Sequence, residues 1–347
     1  MQARSFSLAI FMALVVVGVG NISAAPRTVE EVATYQGADR QTMLEAGAKA
    51  EGKLQMYTTF TQNEPMERFG QKYPFIRVEV LRTTTTGATK RMLEEYKAGK
   101  HVVDLMNLPT AALLALREAG VLQPYYSSEM EMLHPDAVEP NRYWANNYES
   151  YVGLGFNTNL IRPEEAPKTY DDLLDPKWKD RMALTGRSSA LSNFVGTMLL
   201  VKGEDFLRQL GRQEPTVHDF SGRALANLIV SGEVALSPQT YNSHMADSKQ
   251  KGASVAWRPL GPVFGQVNAA ALAKRAPSPH AAMLFNDFIL SREGQTIMEK
   301  LGYNSPRKDF VSAETPEKVI DLYTRPNYQQ EFEAWGRLAD QVFRKSK

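Results

Sequence analysis

The feature that most constrains this chain is a repeated switch between short apolar strands and amphipathic helices, beginning near residue 50. Leu54 to Thr58 reads as a strand, and Asn63, Glu64 and Pro65 open a helix with Met66, Phe69 and Tyr73 at helical spacing. Ile76, Val78 and Val80 then alternate as a strand, and the run from Thr83 to Gly87 leads into a helix around Met92, Leu93 and Tyr96. Val102 to Met106 and Thr110 to Ala119 repeat the unit. Three such units in a row predict an α/β body, a mostly parallel sheet with helices on its faces. A second body follows. Its strands are expected at Val152 to Phe156, Met182 to Leu184, Val234 to Leu236, Ala253 to Trp257 and Val267 to Ala273, with helices at Leu191 to Val201, Pro279 to Leu290 and Glu293 to Lys300. No linker separates the halves, so the chain is expected to cross between them more than once. The crossings are expected near 149–151 and near 258–265, where Pro259, Gly261 and Pro262 cluster.

The N-terminus carries Arg4, then a nearly unbroken apolar stretch from Phe6 to Gly20, then small residues through Ala24 and Ala25. This is the layout of a cleavable secretory signal peptide, assigned to 1–25, and it is shorter than the ~20 residues of a spanning helix. With no cysteine in the chain, the exported protein has neither disulfides nor a lipid-modified thiol to tether it. A periplasmic molecule with no stable membrane insertion is expected. Lys and Arg total 40 against 39 Asp and Glu, a net charge of +1, which gives no electrostatic footprint for nucleic acid.

Enzyme signatures are missing. Gly47 to Lys53 matches most of a phosphate-binding loop, but Leu54 stands where a hydroxyl would hold Mg²⁺, and the motif precedes a strand instead of following one. No Gly-x-Ser-x-Gly elbow occurs. The five histidines, His101, His134, His218, His244 and His280, show no metal-ligand pairing, and His244 is expected on a helix surface. No catalytic residue, resident metal or cofactor is assigned.

Hydroxyl-rich segments point instead to ligand binding. Thr58, Thr59 and Thr61 follow the first strand at its carboxyl end, where open α/β sheets place ligands. Thr84, Thr85, Thr86 and Gly87 precede one helix, and Arg187, Ser188 and Ser189 precede another. Helix N-termini offer unpaired N–H groups and partial positive charge, and an arginine pairs bidentately with carboxylate or phosphate. Ordinary helix capping is the competing role for these hydroxyls.

Several segments resemble the ABC-importer solute-binding proteins of the ferric-ion-binding type. They are Tyr35 to Arg40 with Ala48 to Leu54, Glu95 to Lys100 with Asp104, and Gly153 to Ile161 with Pro167 to Lys179. Gly232 to Ala235 and Asn304 to Pro306 extend the likeness in consistent order. The resemblance implies a type II periplasmic-binding fold, with 26–149 plus 263–306 as the first lobe and 150–262 plus 307–347 as the second. It implies a monomer delivering a small molecule to an inner-membrane permease and its ATPase. Iron-binding members use two adjacent tyrosines with a histidine and a glutamate. Here the pair falls on Thr240 and Tyr241, the histidine position about Thr61, and the glutamate position among Asn107 to Pro109. Iron held in that way is not expected. Tyr241, with Asn242 beside it, is kept as a ligand residue because the resemblance puts one there, and Trp144 and Tyr151 are further aromatics near the first crossing. The leading expectation is a small anionic ligand bearing carboxylate or phosphate. A ferric ion or iron complex is the alternative, and a sensing partner of a receptor the second alternative.

Overall fold

The computed structural model describes residues 28–60, 62–186, 190–310, 319–322, 325 and 327–344. Thr61, the signal segment at 1–25, and Arg187, Ser188 and Ser189 lie outside them.

The chain begins with α1 (Val29–Thr34) and α2 (Arg40–Glu51), then β1 (Lys53–Thr58), α3 (Glu64–Lys72), β2 (Arg77–Arg82), α4 (Thr85–Lys97), β3 (Leu105–Pro109) and α5 (Thr110–Glu118). The near-match to a phosphate loop lies in α2, which Gly52 ends in a left-handed cap with φ 67°. Strand β1 pairs in parallel with both β2 and β3, the arrangement that helical crossovers enforce. After β4 (Leu122–Gln123) comes β5 (Trp144–Asn157), then β6 (Ala183–Thr185), α6 (Ala190–Val201), α7 (Glu204–Arg212), β7 (Thr216–His218), α8 (Gly222–Ser231), β8 (Leu236–Tyr241), α9 (Asn242–Gln250) and β9 (Val255–Arg258). The chain returns through β10 (Val263–Ala273) to α10 (Pro279–Leu290) and α11 (Arg292–Lys300), and ends with β11 (Val319–Ile320) and α12 (Tyr328–Phe343).

Several strands differ from the sequence expectation in extent: β3 begins at Leu105, later than the expected Val102, and β8 runs on from Leu236 to Tyr241, past the expected end. Strand β5 starts at Trp144, eight residues before the alternating segment read from the sequence, and β10 starts at Val263. Both are buried on both faces for most of their length, which erases the polar alternation that marks a one-sided strand. They pair antiparallel with each other, β10 pairs antiparallel with β3, and β5 with β8. Parallel order is thus confined to the β2-β1-β3 block and the two short pairs β6/β7 and β10/β11. The result is a mixed sheet ordered β2-β1-β3-β10-β5-β8, with β4, β9 and β11 attached beside it.

This sheet is continuous, but the apolar cores on it are separate. One core takes its residues from Val32 to Tyr148 and from Ala269 to Met298. Two further clusters use Tyr151 and Val152 onward, together with Val263, Phe264, Trp335 and Phe343. Strand β5 therefore leaves the first core between Tyr148 and Tyr151, and β10 re-enters it between Phe264 and Ala269. Val263 and Phe264 pack with the second body. In its second half β5 is flanked by β8 and β9. Glycine allows that close approach: a Cβ on Gly155 would stand 2.8 Å from the Thr240 side chain, and one on Gly153 would stand 2.7 Å from the Arg258 carbonyl.

Candidate functional site

Where β5 and β10 pass between the cores, one sheet face carries polar side chains at every second position. Asn268 is opposite Tyr148, Gln266 opposite Ser150, and Val152 opposite Tyr241. Paired residues point to the same face, so Tyr148, Ser150, Gln266, Asn268 and Tyr241 form one floor. Above it lie Thr59 and Phe60 after β1, Ser243 and His244 in the first turn of α9, and Tyr303 after α11. Together these ten residues enclose a cavity of about 210 Å³. Phe60, Tyr148 and Tyr303 pack with the first core and Tyr241 with the second, so the cavity lies between the two bodies.

The walls are aromatic and uncharged. Tyr148 and Tyr303 meet edge to face with centroids 4.7 Å apart, and Phe60 touches both at 5.1 and 5.3 Å. Burial pushes the Tyr148 phenol well above its ordinary pKa and that of Tyr303 up to about 12, so both are protonated in the empty cavity. Tyr241 donates to Gln266 Oε1 at 3.2 Å, and its ring packs edge-on against His244 at 5.2 Å. Burial, reinforced by the Arg223 charge, lowers the His244 pKa to about 4 and keeps the imidazole neutral. No Asp, Glu, Lys or Arg is among the described lining residues.

Helix α9 begins at this cavity, with Tyr241 as its N-cap, whose side chain makes no cap bond to the helix. The helix is held from the hinge side. Asn242 accepts the Tyr151 N–H at 2.9 Å and donates to the Gly302 carbonyl at 3.3 Å, while Gln250 reaches the Lys300 carbonyl.

Of the residues singled out from the sequence, Thr59 and Tyr241 line the cavity. Thr58 is fully buried, and its hydroxyl accepts the Phe60 N–H at 2.9 Å, closing the turn that presents Thr59. Thr84 caps α4 by accepting the Gly87 N–H at 3.1 Å. Thr84, Thr85, Thr86 and Gly87 are outside the cavity wall, so capping accounts for this run. Asn242 is a hinge tie. Trp144 packs in the first core, and the Tyr151 phenol turns to the other face of β5, where it donates to Glu149. The expectation of a surface His244 is corrected: the first turn of α9 carries it into the cavity. Tyr148, Ser150, Gln266, Asn268 and Tyr303 were not singled out. No periodicity marked them: β5 carries polar residues on both faces, at Asn146, Asn147, Glu149 and Ser150, and Tyr303 lies outside the strands.

Two α/β bodies joined by crossing strands, with a cavity between them, define a periplasmic-binding type of protein. The chain belongs to the bacterial extracellular solute-binding proteins, whose family model matches residues 109–331. Members of that family bind solutes for transporters and are not enzymes. Among curated relatives, the iron uptake protein A1 of Synechocystis is 24% identical over 244 residues, covering 63% of this chain and 66% of its own length. The spermidine/putrescine-binding periplasmic protein of Salmonella typhimurium is 23% identical, covering 68% of this chain and 72% of its own. Among solved structures, iron-bound HitA from Pseudomonas aeruginosa superimposes with TM-score 0.67 at 22% identity, covering 84% of this chain and 99% of that one. The Trichodesmium protein in complex with iron and citrate gives 0.66 at 17%, covering 85% and 100%. These likenesses carry the fold.

Proposed function

We propose that this protein is the periplasmic binding component of an ABC importer for ferric iron carried as a small complex with an oxygen-donor anion. The observation that carries this reading is the gathering of Tyr148, Tyr241 and Tyr303 around one cavity between the two bodies. Phenolate oxygen is a hard donor suited to Fe³⁺, and a bound ferric ion supplies the charge that ionises phenols otherwise held neutral by burial. The cavity contributes no carboxylate among its described lining residues, so the remaining negative charge and donor atoms come with the iron. The N-terminus of α9 suits such an anion. The sequence alone ranked a metal-free anion first. The three phenols, and iron or iron with citrate in related proteins, favour the iron complex. A polyamine, the ligand in the name of the Salmonella relative, calls for carboxylates that these walls lack.

In this reading the two bodies act as lobes of a monomer that hinge shut on the complex, after removal of the N-terminal signal segment. They then present it to an inner-membrane permease driven by its ATPase. Ferric citrate added to the purified protein is expected to give a visible phenolate-to-iron charge-transfer band and a raised Tm. A citrate-induced Tm rise without iron and without the band supports the metal-free anion instead. Neither effect with ferric citrate removes the iron reading.

A further inference from the structure

We infer that Asn268 is a specificity-determining ligand residue, which accepts a hydrogen bond from a proton on the bound complex. The inference rests on the reading that the cavity is the ligand site.

Asn268 belongs to β10 at the centre of the cavity floor, opposite Tyr148. Its side chain is 2% exposed, and its Oδ1 has no hydrogen-bond partner among the described residues. The amide nitrogen turns toward the Gln266 carbonyl at 3.4 Å, which leaves the oxygen as the free end. Asn107 repeats the situation one strand away. It is 4% exposed, its Oδ1 is also without a partner among the described residues, and it pairs with Ala270, two positions along from Asn268. The two amides are therefore diagonal neighbours on one sheet face. Asn107 is not among the described cavity-lining residues; on its other side it pairs with the buried Thr58.

A buried carbonyl oxygen without a donor is unfavourable, since desolvation is not repaid by a bond. Oxygens left stranded in the cavity floor are a poor choice for packing alone, where leucine fills similar space. They become favourable when a guest supplies the donors. In a ferric complex the donors are hydroxyl protons of the carried anion or protons of water left on the metal, both polarised by the cation. The closed, empty cavity is thereby disfavoured and the occupied one is not, which couples closure to the correct cargo. A bare apolar or wholly aprotic guest leaves the Asn268 oxygen stranded.

The experiment compares the wild type with Asn268→Leu in the full mature chain. Each is measured for Tm without ligand and for affinity toward ferric citrate and ferric nitrilotriacetate. The expected result has opposite signs: an unliganded Tm equal to or above wild type, and ferric citrate affinity lower by roughly tenfold or more. Loss with both chelates assigns the donor to iron-bound water, because nitrilotriacetate has no hydroxyl. Loss with citrate alone assigns it to the anion's hydroxyl. A lower Tm with unchanged affinity makes the amide structural and overturns the proposal. If the wild type binds neither chelate, the iron reading fails on its own, and the Tm comparison still decides whether this oxygen is stranded. Asn268→Ser, which keeps an oxygen acceptor in a smaller side chain, is expected to recover part of the affinity.

Discussion

The Tyr151 hydroxyl donates to Glu149 Oε2 across 2.7 Å, on the face of β5 opposite the cavity and at the point where the strand passes from one core to the other. Glu149 also exchanges backbone hydrogen bonds with Asn304, so this residue ties the crossing strand to the segment after α11. Behind it His134, Asp136, Glu149 and Glu299 line a second cavity of about 190 Å³. The cavity side of the crossing strand is thus neutral and the other side acidic.

Burial raises the Glu149 pKa despite the bond from Tyr151. A carboxyl that holds its proton more tightly when folded contributes stability below its unfolded pKa, and that contribution is lost as pH rises through the folded value. Glu149→Gln keeps an acceptor for Tyr151 and removes the charge. It is expected to raise Tm at pH 7.5, with the difference vanishing below about pH 4, where both states carry the proton. Thermal melts across that range check it.

His244 follows the opposite sign. Its folded pKa, lowered to about 4 chiefly by burial, makes its contribution complete above the unfolded value near 6.5 and lost as pH falls toward 4. The wild type should therefore lose stability relative to His244→Gln between those limits, with a slope approaching about 1.4 kcal/mol per pH unit. Urea titrations at pH 7, 5.5 and 4.5 measure it. Parallel profiles for the two proteins would show that the imidazole titrates normally.

Tyr241 reaches the cavity from the second body and Tyr148 from the first. Tyr241→Phe and Tyr148→Phe should each weaken ferric citrate binding by at least the roughly 10–100-fold typical of losing a supporting group at a metal site, with a smaller charge-transfer band. Thr84→Ala serves as the contrast. It loses a helix cap worth about 1 kcal/mol of stability and should leave ferric citrate affinity unchanged. Equal affinity losses in all three variants would refute the placement of the ligand.

Gly302 has φ 82°, and a Cβ there would stand 2.6 Å from the Ala246 side chain and 3.1 Å from the Ser243 backbone in α9. Gly302→Ala combines left-handed strain with a clash against the helix that carries Tyr241 and His244. A loss of about 1–3 kcal/mol is expected, together with weaker ligand binding because α9 must shift. Chemical denaturation and ligand titration of the variant check both effects.

The local pattern of the chain, by itself, determined α3, α4, α5, β1 and β2 of the first block, while β3 lies further along the chain than the apolar run suggested. The helix at Pro279–Leu290 falls where its apolar spacing places it, and Thr169 with Asp172 exchange the capping bonds their spacing suggests. Such features depend on neighbours in sequence. The resemblance of ordered segments to a known family supplied the two-lobed architecture, which periodicity alone does not reach.

Only the tertiary structure decided the cavity. Tyr148, Gln266 and Tyr303 are far apart in sequence and meet because β10 returns antiparallel between β3 and β5. In the sequence Gln266 sits in an apolar stretch and the two tyrosines among polar neighbours, and none of the three differs in appearance from a residue with a purely structural role. The hydroxyl run at Thr84 shows a related ambiguity: Thr84 satisfies its own helix, a local role that composition cannot separate from ligand binding. Whether a polar side chain meets its neighbour, solvent or a guest is set by what the fold brings opposite it, and for Asn107 and Asn268 nothing in the linear order records that.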